Sequence, residues 1–403
     1  GGAQSSWGAL PSADLRELDE CVQLWTRAAE LRHPAALFRL AGLHALGRGV
    51  PQSDEAAARL FHSASELGSA PAMYSFGMML SEGRGVARHD ANAALWLGRS
   101  AEQGFARAQF HLGRLLEAGT GTAQGTPAST KYAAAVRRYA EAAHQGLAEA
   151  QCSLGIMFEQ GRGVDPNPGE AARWYRKAAY QGDLAAQCNL GTMYNDGRGV
   201  PQSHAEAVRW YARAANQGYA RAQCNLGYKY DQGEGVPQSD EEAVGWYRKA
   251  AEQGNPSACC NLAVMFEQGR GVAQSFANAK TWYEQGASMQ HIDSIVNLAV
   301  MYETGKGVAV DLGRAVELLS QAADLGDRDA RRDAGRLVAA LNQEGRQAHE
   351  EGGSSPAPLS GRFPVESQAP EPEPELEPHS GSGGGATTHL GGGARRPPGC
   401  RLS

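Results

Sequence analysis

The chain has 403 residues, of which 42% are hydrophobic, and its formal net charge is −6. A chain of this length rarely folds around a single core, so several domains or an array of repeats are expected. The negative net charge disfavours nucleic-acid binding, which needs a basic surface, and no stretch approaches the roughly 18 consecutive apolar residues of a membrane span.

Three regions follow one another along the chain. Residues 1–14 are expected to form a flexible N-terminal segment. Residues 15–343 carry a repeat, and we expect them to form one solenoid in which a half unit stands at each end of eight full units. Residues 344–403 are rich in Pro, Glu and Gly, a composition that predicts a disordered tail.

Glycines mark the repeat, which has a period of 36 residues. The tetrapeptide Gly-Arg-Gly-Val occurs at 47–50, 83–86, 161–164, 197–200 and 269–272. Glu234 and Lys306 replace its arginine in two further copies. One interval is 42 residues long, because an insertion at 120–130, rich in Gly, Thr and Ala, adds a longer loop.

One unit shows how the period builds a pair of helices. Residues 184–196 are predicted to form a first helix, because apolar residues recur there every four positions. Gly197 ends it, since glycine suits the left-handed backbone of a tight turn. A second helix begins after Ser203, which forms a capping box with Glu206, and ends at Gly218.

Aromatic pairs in the second helices complete the pattern. Trp-Tyr dipeptides occur at 174–175, 210–211, 246–247 and 282–283. We expect them to fill the space between repeats, because no single unit can bury both of its faces alone. The predicted fold class is therefore all-α, an α-solenoid of two-helix repeats.

The consensus of these units can be written as a motif. Residues 222–254 match Ala-x3-Leu-Gly-x2-Tyr/Phe-x2-Gly-x-Gly-Val followed by Ala-x2-Trp-Tyr-x2-Ala-Ala-x2-Gly. This motif resembles the Sel-one-like repeat, a relative of the tetratricopeptide repeat, and the resemblance covers most of residues 15–343. It implies a right-handed superhelix whose first helices line a concave surface, and a role as an adaptor or scaffold.

Four first helices carry asparagine at one position, on the face opposite the apolar stripe: Asn189, Asn225, Asn261 and Asn297. Thr192 and Tyr228 belong to the same face. An amide both donates and accepts hydrogen bonds, so the column is a candidate for gripping an extended partner peptide on the concave surface. The alternative, that each asparagine bonds a neighbouring helix, stays open.

Acidic residues predict a negative field on the same face. One column of this face, the acidic column, consists of Glu159, Asn195, Asp231, Glu267 and Glu303, and Asp196 and Glu82 add to its charge. A negative groove would favour a basic partner segment. The alternative is an ordinary solvated face.

Four cysteines also share one position: Cys152, Cys188, Cys224 and Cys260. Helix packing places equivalent atoms of neighbouring repeats about 10 Å apart, whereas a disulfide needs Cα atoms within roughly 7 Å. We interpret these cysteines as small apolar fillers. The chain thereby departs from the cysteine-rich secreted subset of the family, to which a β-lactam-binding hydrolase activity is ascribed.

No catalytic or metal-binding motif is present, and Gly-Arg-Gly-Val lacks the Gly-Lys-Ser/Thr of a phosphate loop. We therefore expect a non-enzymatic protein without metal or cofactor. Cys400 is a candidate lipidation site, although Arg401 departs from the aliphatic residue of the Cys-a-a-X motif, and an unmodified tail is the alternative.

Together these features predict a cytoplasmic scaffold that holds a protein partner, as a basic or extended segment, on the concave face of the solenoid. Two other functions stay open. An adaptor in endoplasmic-reticulum-associated degradation would need a targeting segment or a membrane anchor, and a hydrolase of the cysteine-rich subset would need disulfides within its repeats.

Overall fold

The computed structural model describes residues 12–120 and 125–351, which form α-helices joined by turns and short irregular segments, with no β-strand among them. The chain divides into two compact units, Gly1–Ser239 and Asp240–Ser403. The lipidation candidate Cys400 lies outside the described residues, as do residues 1–11, 121–124 and 352–403.

Within the described residues, the first unit runs from α1 to α12. Its helices are α1 (Ser12–Glu30), α2 (Pro34–Leu46), α3 (Asp54–Glu66), α4 (Ala70–Glu82), α5 (Asp90–Glu102), α6 (Ala106–Ala118), α7 (Ala128–His144), α8 (Ala148–Gln160), α9 (Pro168–Tyr180), α10 (Leu184–Asp196), α11 (His204–Asn216) and α12 (Ala220–Gln232). Consecutive helices pack against one another along this run.

The second unit continues the same alternation. Its described helices are α13 (Asp240–Glu252), α14 (Pro256–Gln268), α15 (Phe276–Ser288), α16 (Ile292–Thr304), α17 (Leu312–Asp324) and α18 (Arg328–Glu351). Within the units, the first helices α2, α4, α6, α8, α10, α14 and α16 each pack on the second helix of their own repeat and on the second helix before it. The predicted α-solenoid of helix pairs is confirmed in each unit.

The helix ends follow the expected chemistry. The Ser203 hydroxyl accepts a hydrogen bond from the Glu206 backbone N–H at 3.3 Å, which satisfies one free donor at the start of α11. Gly197 adopts a left-handed backbone with φ of 67° and closes α10 onto the Met193 carbonyl. α1 begins at Ser12, ahead of the predicted boundary at 15, and α18 continues to Glu351, beyond the predicted boundary at 343.

The second glycine of the turn brings each repeat into contact with the one before it. Gly199 has a φ of 69°, and a Cβ at this residue would lie 2.2 Å from the carbonyl oxygen of Pro168, at the start of α9. A Cβ at Gly163 would likewise lie 2.3 Å from the backbone of Tyr132 in α7. Only glycine allows the turn to rest directly on the preceding second helix.

Small residues in the first helices make room for the buried tyrosines. Tyr175 and Tyr211 are 0% exposed. A Cβ on Gly155 would lie 2.7 Å from the Tyr175 ring, and one on Gly191 would lie 2.7 Å from the Tyr211 ring. Because interiors are close-packed, the Leu-Gly dipeptide of the first helix and the Trp-Tyr dipeptide of the second are two halves of one packing unit.

Replacing Gly199 with alanine should lower the free energy of unfolding by about 3 kcal/mol, because both a positive φ and a backbone clash oppose a side chain there. Gly182→Ala is the matched control, since Gly182 also has a positive φ, of 95°, but nothing lies within 4 Å of the place that its Cβ would take. It should cost only about 1 kcal/mol. Urea titration followed by circular dichroism measures the free energy of unfolding of both variants. Equal losses would contradict the close contact between the turn and the preceding second helix.

Candidate functional site: the open stripe of the first helices

Each first helix leaves only a narrow stripe of side chains partly exposed. In α10 the stripe consists of Ala185, Asn189, Thr192 and Asp196. The face expected from the sequence was wider, and it included Cys188 and Asn195, which are 0% and 8% exposed. They are buried because second helices pack on both flanks of α10 and α12 reaches it as well. We call the second, ninth and thirteenth residues of each first helix the open stripe; the sixth residue is partly exposed in α10, as Asn189, but buried in α12, α14 and α16.

The asparagine column lies mostly inside the packing between repeats. Asn225, Asn261 and Asn297 are 0%, 9% and 8% exposed, and Asn189 is half-buried. This burial corrects the expectation of a polar ladder that is open to a peptide along its whole length.

Contacts between repeats occupy three of these amides. The Asn225 and Asn297 amide nitrogens lie 3.7 and 3.6 Å from the sulfurs of Cys188 and Cys260, on the preceding first helices. Asn189 accepts a hydrogen bond from Arg221 of the next first helix at 3.1 Å. These distances match the alternative in which each asparagine bonds a neighbouring helix.

The acidic column is engaged by tyrosines and by turn cations. The Tyr175 hydroxyl donates to the Glu159 carboxylate at 2.6 Å, and Arg198 from the next turn pairs with the same carboxylate at 2.9 Å. We call this arrangement a carboxylate link. Two further links are Tyr139–Glu117–Arg162 and Tyr283–Glu267–Lys306.

Burial contributes to the strength of the links. It is the main cause that raises the pKa of Tyr175 and Tyr139 well above its ordinary value, and the bonded carboxylates raise it further. Both hydroxyls therefore stay protonated and keep donating at physiological pH. Hydrogen bonds to a charged group contribute about 1.5–3 kcal/mol each.

The remaining acidic candidates are also engaged. Glu303 pairs with Arg336 at 2.8 Å, and Asp196 pairs with Arg198 at 3.2 Å. Asp231 is half-buried and has interaction partners of its own. The expected negative groove is therefore corrected to a row of largely neutralised carboxylates.

One turn of the first unit reverses this charge pattern. Asn195 stands between Glu159 and Asp231 in the acidic column, and the turn of the next repeat carries Glu234 in place of arginine. The Lys229 ammonium donates a hydrogen bond to the Glu234 carboxylate. The Lys229 side chain is 0% exposed, and it stands where α8 and α10 carry Met157 and Met193.

His204 completes the reversed cluster at the start of α11. Its Nδ1 atom lies 3.1 Å from the Asn195 side-chain oxygen and 3.9 Å from Glu234. In an ordinary turn the polarity is opposite, as where Arg84 pairs with Asp54 at 2.9 Å. Here an imidazole takes the place of the aspartate at the start of the second helix, and a glutamate takes the place of the arginine in the turn.

The ninth position of the open stripe keeps apolar side chains within reach of solvent. Met78, Ile156 and Tyr228 occupy it in three repeats of the first unit, with Gly42, Arg114 and Thr192 in the others, and all six are at least partly exposed. Thr192 accepts a hydrogen bond from Tyr211 at 3.1 Å, and partial burial raises the pKa of Tyr228. In the second unit the same position holds Val264 and Val300.

The cysteine column lies in the interior, as expected of small apolar fillers. Cys152, Cys188, Cys224 and Cys260 are buried, and the six cysteines that the structure describes are free thiols. Burial raises the pKa of Cys188 to about 11, so its thiol is neutral at physiological pH and a poor nucleophile.

No group of His, Cys, Asp and Glu suited to a metal ion occurs among the described residues. The same part of the chain contains no helix that is both long and apolar enough to span a membrane.

Comparison with known families agrees with the geometry. Eight consecutive segments match the Sel1 repeat, at residues 34–69, 70–105, 106–146, 148–183, 184–219, 220–255, 256–291 and 292–327. The chain belongs to the Sel1 repeat family. The resemblance inferred from the motif is thus confirmed, including the number of full units.

Two solved structures resemble the chain over most of its repeats. One is c5321, a protective antigen present in uropathogenic Escherichia coli strains and displaying an SLR fold, with 30% identity, coverage of 79% of this chain and 68% of that chain, and a TM-score of 0.67. The other is a Sel1 repeat protein from Oxalobacter formigenes, with 31% identity, coverage of 62% and 96%, and a TM-score of 0.57. A comparison with curated proteins finds no match.

Sequence reasoning missed the carboxylate links, although a signal for them exists. Asn195 is the one uncharged residue of the acidic column, and the turn of the next repeat carries Glu234 where most turns carry arginine. When the acidic column loses a charge and the turn reverses its charge in the same place, the two are expected to be in contact. Constancy of the asparagine column was likewise a signal of packing, because binding surfaces vary more than interiors.

Replacing Glu234 with alanine should strand the Lys229 ammonium in the interior and lower the free energy of unfolding by about 2 kcal/mol. Breaking a fully buried ion pair typically costs about 3–5 kcal/mol. The loss expected here is smaller because the Glu234 side chain is 40% exposed. Adding Lys229→Met, which restores the residue of other repeats, should recover most of the loss. A double variant as unstable as Glu234→Ala would contradict the pairing.

The same pair should give a defined pH dependence. Lys229 holds the pKa of Glu234 below its ordinary value of 4.5. The stabilisation is therefore complete above about pH 4.5 and is lost as the pH falls through the lower, folded-state pKa. The stability difference between wild type and Glu234→Ala, measured by urea titration from pH 7 to pH 3, should shrink only at the acidic end.

Proposed function

We propose that the protein is a scaffold that binds a partner protein along the open stripe of its first helices, with the ninth-position column as the main anchor. The observation that carries this proposal is that Met78, Ile156 and Tyr228 remain partly exposed in alternate repeats while their neighbours on both sides in the helix are buried or half-buried. Family membership supports a role in protein–protein interaction.

The ninth position favours binding because its residue type changes from repeat to repeat, although Ile156 and Met78 also pack in part against the core. The columns that build the stack are repeated almost unchanged, as with the tyrosines that pack on glycines. By contrast, the ninth position holds methionine, arginine, isoleucine, threonine and tyrosine in turn from α4 to α12. Variable, half-exposed and mostly apolar side chains on a rigid frame are suited to specific recognition.

The partner segment is expected to be mainly apolar rather than basic. Neutralised carboxylates along the stripe give little attraction for a cationic peptide, because Arg198 and Lys306 already balance Glu159 and Glu267. An apolar side chain that enters the stripe would gain about 1.5–3 kcal/mol if it became fully buried. A segment with one such side chain every repeat would span several first helices.

Neither alternative function gains a supporting observation. The hydrolase of the cysteine-rich subset requires disulfides, whereas the described cysteines are free. The adaptor in endoplasmic-reticulum-associated degradation requires a targeting or anchoring element, and nothing in the described helices favours that setting.

Replacing Ile156 and Tyr228 with serine in the full chain should abolish recovery of the partner. Each substitution removes an apolar anchor. The double variant should bind the partner at least tenfold more weakly, which corresponds to about 1.4 kcal/mol of binding free energy. The test compares quantitative affinity purification from native cells for wild type and the double variant, with circular dichroism to confirm that both fold.

The matched control is Leu95→Ser with Tyr180→Ser. These side chains are apolar and 51% and 70% exposed, but they belong to second helices. Partners that depend on the open stripe should be retained by the control and lost by the test variant. Equal recovery of the same proteins by both variants would contradict the assignment.

A further inference from the structure

The second helices of the first unit carry a basic surface that the proposed function does not use. Helices α7, α9 and α11 belong to three consecutive repeats. Their basic residues are Lys131, Arg137, Arg138, Arg173, Arg176, Lys177, Arg209 and Arg213, and their acidic residues are Glu141, Glu170 and Glu206. Eight cations less three anions leave +5 on these helices, in a chain whose net charge is −6.

The most exposed cations form a row of arginines. Arg137, Arg173 and Arg209 occupy the same position in consecutive second helices, and their side chains are 77%, 71% and 73% exposed. Leu95 and Gly245 hold the equivalent positions before and after, so the row is confined to three repeats. Each arginine pairs with a glutamate of its own helix, and such exposed pairs are readily exchanged for another anion.

A second, shorter row of two cations lies one helical turn further along α9 and α11, whereas Glu141 holds the equivalent position in α7. Lys177 sits over the Trp174 ring with its nitrogen 4.0 Å from the centroid, and Arg213 sits over Trp210 at 4.4 Å. Among the described residues, neither Lys177 nor Arg213 meets a carboxylate. Stacking on an indole fixes the position of each cation, so an anion would bind them with little further loss of side-chain freedom.

The two rows form one surface because the helices are joined laterally. The His144 ring of α7 packs on Trp174 of α9 at 5.3 Å, and Tyr180 of α9 packs on Trp210 of α11 at 5.4 Å. Residues such as Arg173 and Lys177 are four apart, so they share one face of the helix. Neighbouring helices lie about 10 Å apart, which sets the spacing between cations of successive repeats.

We propose that this basic ridge, formed by α7, α9 and α11, binds an acidic, extended segment of a second partner protein. Charge complementarity identifies the partner, and spacing identifies its conformation. A polyproline II chain rises about 3.1 Å per residue and repeats its face every three residues. Carboxylates at every third position would therefore recur at about 9 Å and meet one arginine per repeat.

A protein segment fits the ridge better than a nucleic acid does. Glu170 and Glu206 lie beside the arginines with which they pair and would repel a continuous phosphate backbone, whereas a peptide can place uncharged residues opposite them. With an open stripe on the first helices and a basic ridge on the second, the protein would hold two partners at once.

The test measures binding of a fluorescein-labelled peptide of Glu-Pro-Pro repeats to the full chain by fluorescence anisotropy. Arg137→Gln, Arg173→Gln and Arg209→Gln together should weaken binding about tenfold or more, because each removes one ion pair with the peptide. Arg59→Gln with Arg314→Gln and Arg331→Gln is the matched control, with the same change in net charge at residues outside both the ridge and the open stripe. Its affinity should equal that of wild type.

Two further measurements separate the proposal from general charge attraction. Wild-type affinity should fall as salt rises, and a peptide with the same glutamates gathered at one end should bind more weakly than the regularly spaced one. The proposal is overturned if wild type does not bind the spaced peptide at physiological salt, or if both triple variants lose affinity equally. Tighter binding of a single-stranded oligonucleotide, lost in the ridge variant, would also overturn it in favour of a nucleic-acid surface.

Discussion

The close contact between one repeat and the next is the constraint on which the rest of this structure depends. A turn glycine such as Gly199 rests on the backbone of the preceding second helix, and the turn's arginine then reaches the carboxylate of that same repeat. Without glycine the turn would be held away, and the arginine would lose its partner. Steric fit and charge pairing are therefore two consequences of one approach.

This constraint decides which residues are available for binding. The carboxylates and most of the asparagines of the first helices are occupied by contacts between repeats, as with Glu159 and Asn225. What remains is a stripe of half-exposed, mostly apolar side chains on one helix layer and a basic ridge on the other. A rigid stack with two chemically different surfaces is suited to an adaptor, because neither surface has to rearrange for the other to be used.

The sequence predicted the architecture almost completely and the site only in part. Strict periodicity located α10 at its observed bounds, 184–196, because turn glycines and capping residues act locally. Exposure of Asn189 and its equivalents could not be predicted in the same way, since it depends on how closely neighbouring first helices approach. Helical periodicity separates the two faces of one helix but not a face covered by the next repeat from one open to solvent.

The most direct test of the account is a double-mutant cycle between Tyr175 and Glu159, measured by urea titration of wild type, Tyr175→Phe, Glu159→Ala and the double variant. A carboxylate that serves the stack should show a favourable coupling of about 1–2 kcal/mol, with partner recovery by the folded Glu159→Ala variant unchanged. A coupling near zero, together with loss of the partner, would show instead that the acidic column belongs to the binding surface.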